Sequence, residues 1–409
     1  MRANPIRRLW VGLTLATQLT LTYYLIRARL GIPRLSQTAT PPTPTTPVPP
    51  KLSVIVPARN EADQLREAAT SILRQDYPAL ELILVDDRST DGTGAIMAEL
   101  AATHPDRVRI VTVEQLPPGW LGKNHALWVG ARRATGVWLL FTDADVIFEP
   151  GCFRQAVAYA EAHGLDHLAL YPQVEAKGYW LEAFVSFFVY GFLSGSRPYL
   201  AADPRSDVGI GIGGFNLLRR TAYETIGTHR AISLRPDDDL RLGRRVKLFG
   251  LRQGLVFGVD LARVEWYPTL TAAVVGVEKG MFPGLDYSLT KMAASIGFLW
   301  LTMILPYLAV WRARGLDRRL LLASIGVHTA NYLYANQLRG RSVYRLAPVL
   351  PLTGLLLIYM VLRSAYLALT QRGIRWRDTL YPLDELRGQT GLERGTLPAS
   401  VQKGGANGH

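Results

Sequence analysis

Acidic side chains recur at the ends of short apolar runs. They include Glu61 in Pro57-Ala58-Arg59-Asn60-Glu61, Asp86 and Asp87 before Arg88-Ser89, and both acids of Thr142-Asp143-Ala144-Asp145. Gathered on one rim, such carboxylates repel one another, raising pKa values or costing stability unless a cation sits among them. Carboxylate oxygens are hard ligands suited to Mg2+ or Mn2+. Sites of this kind use one or two carboxylates, while substrate phosphates and water complete the octahedron. A nucleotide diphosphate fits that chemistry. The other common work for Asp at such positions is capping helices and ending strands, the preferred reading for Asp91 but not for Asp143 and Asp145. Lys123, in a Gly-bearing loop, can neutralise phosphate charge as a point cation. Asp237-Asp238-Asp239 sets like charges side by side, which raises the pKa of one member and can poise it to take a proton from a hydroxyl. An acidic helix N-terminus is the alternative to that functional reading.

These residues need elements to bring them together. Leu52 to Val56, Leu82 to Val85, Val108 to Val113 and Val137 to Phe141 read as β-branched strands. Glu61 to Gln75 and Thr93 to Thr103 carry the three-four spacing of amphipathic helices between them. Alternation of this kind predicts an α/β sheet of parallel strands with crossover helices, whose ligands bind beyond the carboxyl ends of the strands. Gly209-Ile210-Gly211-Ile212-Gly213-Gly214 has G-x-G-x-x-G spacing. It follows the turn-like Asp203 to Asp207 rather than a strand, so a nicotinamide or flavin site is set aside.

Ser53 to Glu61, Leu84-Val85-Asp86-Asp87-Arg88-Ser89-Thr90-Asp91-Gly92 and Thr142 to Asp145 stand in the order and approximate spacing of family 2 glycosyltransferases with a GT-A fold. The resemblance covers about residues 51 to 258. Leu116-Pro117-Pro118-Gly119-Trp120-Leu121-Gly122-Lys123, with Ala126 and Gly130, resembles the loop and helix of membrane-bound members that glycosylate lipids, such as ceramide glucosyltransferase and hopanoid- or carotenoid-associated transferases.

Carried over by position, the resemblance implies that Pro57, Glu61 and Asp87 line a nucleoside pocket. It implies that Asp143 faces the ribose or metal, Asp145 ligates the metal, and Lys123 approaches the diphosphate. Gly214 and Asn216 resemble the acceptor-side loop. Asp239, with Asp238 as neighbour, takes the place of the base. The implied reaction is an inverting transfer from a nucleotide-diphosphate sugar, a UDP-sugar first among donors, to a membrane lipid hydroxyl, with Mg2+ or Mn2+ as cofactor. A Gln-x-x-Arg-Trp segment is not found around Val264 to Pro268 or Glu278 to Tyr287, which weighs against a processive polysaccharide synthase. A non-catalytic membrane protein with a degenerate transferase domain is the other alternative.

Composition sets the surroundings. The chain has 409 residues, 48% hydrophobic and 19% charged, with a net charge of +13 and one cysteine, Cys152. One cysteine excludes an intramolecular disulfide framework and points to a reducing compartment. The positive charge suits an anionic surface. Because Arg residues cluster beside apolar runs, headgroups explain it and nucleic acid is not expected. Leu9 to Ile26, flanked by arginines, reads as an uncleaved membrane anchor, and Ala293 to Trp311, Leu320 to Leu338 and Leu346 to Leu362 read as three C-terminal membrane helices. The polar residues of the middle run favour a buried or interfacial helix as its alternative. Tyr179 to Phe192 reads equally as an interfacial helix or a core helix. The expected plan is an anchor (1–30), a Pro/Thr-rich linker (31–50), a GT-A catalytic domain (51–265), an interfacial segment (266–292), membrane helices (293–370) and a polar tail (371–409). The expected location is the cytoplasmic membrane, with the catalytic domain cytoplasmic.

Overall fold

Near-continuous runs of Val, Ile and Leu make strands that bury side chains on both faces, and the sheet is built from them. In the computed structural model, which describes residues 5–38, 49–376 and 379–388, eight strands form one sheet. They are β1 (Leu52–Ala58), β2 (Leu80–Asp87), β3 (Val108–Val113), β4 (Trp138–Phe141), β5 (Val146–Phe148), β6 (His167–Glu175), β7 (Asn216–Arg219) and β8 (Gln253–Glu265), in the order β3-β2-β1-β4-β7-β6-β8-β5. The four strands expected from sequence are the parallel half, with Ile55 opposite Ile83 on one side and Phe141 on the other. Beyond β4 the sheet becomes mixed, because β7 pairs antiparallel with both β4 and β6.

Alternate residues of each parallel strand serve opposite cores. Val54 and Val56 of β1 and Leu82 and Leu84 of β2 pack with Leu65 and Ile72 of the helix Ala62–Leu73. Ile55, Ile83 and Val85 pack instead with Ala126 and Leu127 of the helix Gly122–Arg133, and with Leu242 and Val246 of the helix Asp238–Leu248. The helices that begin with Gly122-Lys123 and with Asp238-Asp239 therefore share one face of the sheet.

The chain divides into two compact units. One holds the eight-stranded sheet (Ile32–Glu175, Tyr199–Glu265, Asp384–His409), and the other is mainly helical, with one short antiparallel pair, Gly373–Trp376 and Thr379–Pro382 (Met1–Gly31, Ala176–Pro198, Trp266–Leu383). In the helical unit, Pro5–Gly31, Leu289–Ala309 and Tyr344–Thr370 are long and apolar enough to cross a membrane. The middle C-terminal run expected as a third membrane helix there does form a helix, Gly315–Leu338, but it is not among these. Its polar residues are spent on neighbours: Asn331 donates to Gln18 O at 2.9 Å and accepts from Thr22 Oγ1 at 2.8 Å, and Asn336 donates to Ser186 O at 3.2 Å. Buried Asp317 pairs with Arg7 at 3.1 Å, so this helix and Pro5–Gly31 start at the same end. A π-helical turn at Trp300–Ile304 interrupts the regular helix ladder, and side chains from the Pro5–Gly31 helix reach its carbonyls. Trp10 Nε1 donates to Leu301 O and Gln18 Nε2 to Thr302 O, both at 3.1 Å.

Tyr179–Gly195 is a helix with Leu181, Phe184, Phe187 and Tyr190 buried, which is core packing; only Tyr179 and Trp180 at its start are exposed among its aromatic residues. Residues 39–48 of the Pro/Thr-rich linker and 389–409 of the tail lie outside the described residues.

Candidate functional site

The parallel strands deliver acids to one end of the sheet. β2 ends in Asp86 and Asp87, Glu61 follows β1, and Asp143 and Asp145 follow β4. Asp87 is buried and held bidentately by Arg88, with Nε to Oδ1 at 2.8 Å and Nη2 to Oδ2 at 3.1 Å. Asp86 accepts from Ser89 N at 2.9 Å. Asp91 accepts from Thr93 N and Ala62 N, which is capping work. Pro57 lies on β1 in register with Val85, and Glu61 N donates to Thr93 Oγ1 at 2.8 Å.

Lys123, second residue of its helix, reaches into a cavity that Asp143, Gly213, Asn216 and Asp238 also line. Its Nζ is 2.8 Å from Asp143 Oδ1 and 3.6 Å from Asp238 Oδ2. Burial opposes its charge, but Asp143, Asp238 and Asp239 outweigh burial and raise its pKa, so the amine stays protonated.

Three adjacent acids meet three different fates. Asp237 is clamped by buried Arg235, at 2.9 and 3.0 Å, and by Arg241 at 2.7 Å. Asp238 faces Lys123, and its pKa is raised by burial, reinforced by Asp143 and Asp237. Asp239 accepts from Leu240 N at 2.8 Å, and burial followed by the charge of Asp238 pushes its pKa to about 7. Asn124, fully buried beside Lys123, donates to the carbonyls of Ile232, Ser233 and Arg235 at 2.8, 3.2 and 2.9 Å, tying the segment before these acids to the helix that carries Lys123.

The glycines from Gly209 onward serve this arrangement. A Cβ on Gly211 would stand 1.8 Å from Asp239 O, and one on Gly243 would stand 2.3 Å from the carbonyl of Ile210. Backbone lies directly on backbone, which brings the acid-bearing helix against the loop. Gly213 faces the acids, 3.0 Å from Asp143 Oδ2 and 3.5 Å from Asp239 Oδ2 as measured from the position its Cβ would take. Gly214 packs toward Val146 and Pro172 instead, and its carbonyl accepts from Thr142 Oγ1 at 2.8 Å.

Asp145 Oδ1 is buried without a hydrogen-bond partner, and burial, then Asp143 and Glu61, push its pKa to about 7. An orphaned carboxylate oxygen among like charges fits a divalent cation. Among the described residues no group of three or more His, Cys, Asp or Glu side chains could hold a metal ion by itself, so phosphate and water oxygens would have to complete the shell.

Reasoning from sequence missed Arg88, Asn124 and His229. His229 also lines the cavity, 2.7 Å from Tyr223 Oη through Nδ1, and burial followed by Lys123 lowers its pKa to about 3, so it is neutral at pH 7. A lone His in a turn gives no signal. Asn124 was visible only as the neighbour of Lys123.

Residues 53–227 match the family model described as Glycosyl transferase family 2. EpsE of Bacillus subtilis (strain 168), named as a glycosyltransferase, is 37% identical over 114 residues, 28% of this chain and 40% of that protein. The 4,4'-diaponeurosporenoate glycosyltransferase of Staphylococcus aureus (strain MRSA252) is 35% identical over 97 residues, 24% of each chain. This chain thus spans less than half the length of either relative. The fold is similar to that of the mannosyltransferase PcManGT from Pyrobaculum calidifontis, solved with GDP-Man and Mn2+. The TM-score is 0.51 at 20% identity, over 90% of this chain and 99% of that one.

Proposed function

Proceeding from a chain that carries a glycosyl transferase family 2 domain, we propose that this protein is an inverting, membrane-bound glycosyltransferase. It moves a sugar from a nucleotide-diphosphate sugar, a UDP-sugar first among donors, to a membrane lipid hydroxyl. The observation that carries the reading is the placement of Lys123 between Asp143, which follows a parallel strand, and Asp238, which opens a helix. One cation thereby touches both the acids of the strand ends and the acids of the Asp238–Leu248 helix.

In this reading Pro57, Glu61 and Asp87 line the nucleoside pocket, and Gly214 and Asn216 belong to the acceptor side. Asp239, whose pKa burial and then the charge of neighbouring Asp238 push to about 7, takes the proton of the attacking hydroxyl as general base. Lys123 keeps its charge in the cavity and stabilises the diphosphate as it departs. Asp145, with Asp143, would hold the divalent metal, Mg2+ or Mn2+, which when bound supplies further charge neutralisation to the diphosphate. Residues 51–265 are the catalytic domain, placed on the cytoplasmic side of the cytoplasmic membrane, and the acceptor hydroxyl belongs to a lipid of that membrane.

The test is incubation of the purified full-length protein in lipid with a panel of nucleotide sugars and a lipid extract, followed by mass spectrometry of the products. A glycosylated lipid whose formation stops in Asp239→Asn supports the reading; no transfer from any donor, with or without Mg2+ or Mn2+, overturns it.

A further inference from the structure

Behind the Gly209–Gly214 loop, three buried side chains pass hydrogen bonds between elements. Asn216 Oδ1 accepts from Ile212 N at 3.2 Å and lies 3.0 Å from His167 Nε2. His167 Nδ1 lies 2.6 Å from Gln253 Nε2, which also donates to Gly243 O at 3.0 Å, while Gln253 Oε1 accepts from Ile210 N at 2.9 Å. The exposures of His167, Gln253 and Asn216 are 0%, 2% and 3%.

The direction of every bond in this chain follows from its ends. A backbone N–H can only donate, so Ile210 fixes which atom of the Gln253 amide is oxygen, and Ile212 does the same for Asn216. Gln253 Nε2 then donates to His167 Nδ1, which places the imidazole proton on Nε2, aimed at Asn216 Oδ1. Burial lowers the pKa of His167 to about 4, keeping this neutral tautomer at pH 7. With its oxygen held by two donors, Asn216 has one polar group left. Its Nδ2 makes no hydrogen bond to a described residue, and Asn216 lines the cavity shared with Lys123, Asp143 and Asp238.

We propose that His167 and Gln253 are positioning residues that lock the Asn216 amide, so that its Nδ2 donates to a sugar or acceptor hydroxyl in this cavity and selects which hydroxyl pattern is accepted. The inference rests on the glycosyl-transfer reading above. A site built to hydrogen-bond one hydroxyl discriminates strongly against an analogue that lacks it or turns it away, because buried polar groups are then left unpaired. The same chain grips Gly243 in the Asp238–Leu248 helix, so the amide and the carboxylates are set in one frame.

The test has two arms, run on the full chain in lipid. Donor sugars epimeric at single positions are compared with one acceptor, and deoxy or epimeric acceptor alcohols are compared with one donor. In Asn216→Asp, which is isosteric and keeps Oδ1 for His167 and Ile212, the wild-type preference in kcat/KM is expected to shrink by on the order of tenfold or more in one arm only. The acceptor arm is the one expected from the acceptor-side place given to Asn216 above; a collapse in the donor arm instead moves Asn216 to the donor side. In His167→Phe, where the amide can turn over, a smaller collapse is expected in the same arm. Equal losses for all substrates in both arms overturn the inference, since a loosened fold slows every substrate alike. If thermal unfolding shows His167→Phe misfolded, Asn216→Asp decides alone. Wild-type protein that turns over no donor overturns the function reading and this inference with it, whereas active protein with unchanged preferences in Asn216→Asp overturns this inference only.

Discussion

Lys123 Nζ stands 2.8 Å from Asp143 Oδ1 and 3.6 Å from Asp238 Oδ2, bridging residues 95 positions apart in the chain. Removing it leaves Asp143, Asp238 and Asp239 to repel one another and, in the proposed reaction, takes the fixed cation from the departing diphosphate. Lys123→Met is expected to lower kcat/KM by about 10²–10³-fold, the usual loss when one preorganised charge-stabilising group is deleted. Steady-state kinetics of the variant with saturating metal checks this. Lys123→Arg should recover little, because the larger guanidinium has to enter a small cavity already closed around the Lys123 ammonium by Asp143, Gly213, Asn216 and Asp238.

Close backbone contact between the Gly209–Gly214 loop and the Asp238–Leu248 helix makes a second expectation quantitative. With a Cβ at Gly211 only 1.8 Å from Asp239 O, Gly211→Ala must push the helix away, at about 1–3 kcal/mol for an overpacked contact. Gly280→Ala, where a Cβ meets nothing within 4 Å, should leave stability unchanged or raised. Thermal midpoints and transfer rates of the two variants give the comparison: both quantities fall in the first and neither in the second.

The parallel half of the sheet was legible because its strands are short apolar runs, β-branched in the first three, that give way to Pro57, Asp86, Glu114 and Thr142. Val108–Val113 and Thr93–Thr103 have the bounds their spacing predicts. The other half was not, since β6 to β8 take their places through pairing. β7 is only Asn216–Arg219, and its direction is set by β4 and β6 rather than by any local pattern. The site divides the same way. Which acids end the strands could be read from residue types, but that Asp237 is consumed by Arg235 and Arg241 depends on where two arginines fold back. The His167–Gln253–Asn216 chain joins three strands far apart in sequence and left no motif. In the helical unit, hydropathy found the apolar helices but could not show that Asn331 and Asn336 of Gly315–Leu338 are spent on neighbouring helices.

Acid stability follows from Glu81, buried in β2. Burial raises its pKa, but hydrogen bonds from Ser53 Oγ (2.5 Å), Thr135 N (2.6 Å) and Thr135 Oγ1 (2.8 Å), with Lys51 at 3.3 Å, outweigh burial and hold it at about 2 against an ordinary 4.5. The folded carboxyl refuses a proton that the unfolded chain accepts, so its stabilisation is complete above about pH 4.5 and disappears as pH falls towards 2. Glu81→Gln should be less stable at pH 7 by about 1–3 kcal/mol, since its amide meets donors with another donor. The gap from wild type should close across that pH window, as read by chemical denaturation at a series of pH values. His167 and His229, neutral when folded, add their own acid destabilisation to both proteins equally and cancel in the difference.

Asp237 and Asp239 are two residues apart and should fail in opposite ways. Asp239 keeps one hydrogen bond from its own helix, and its pKa of about 7 suits proton transfer. Asp239→Asn retains shape and the Leu240 contact but cannot accept the proton, so transfer should drop by about 10²–10⁴-fold while donor binding and the unfolding midpoint stay close to wild type. Asp237 is the counter-ion of Arg235, which is 2% exposed, and of Arg241. Asp237→Asn removes the carboxylate that three hydrogen bonds from Arg235 and Arg241 converge on, and breaking a buried pair of this kind costs about 3–5 kcal/mol. Its unfolding midpoint should fall first, and donor affinity should weaken as the segment before Asp238 loosens. Calorimetric donor binding and denaturation of both variants separate the cases. If Asp239→Asn loses stability as Asp237→Asn does, or if it keeps its turnover, Asp239 is a structural acid and the base lies elsewhere in the cavity, with Asp238 the next to substitute.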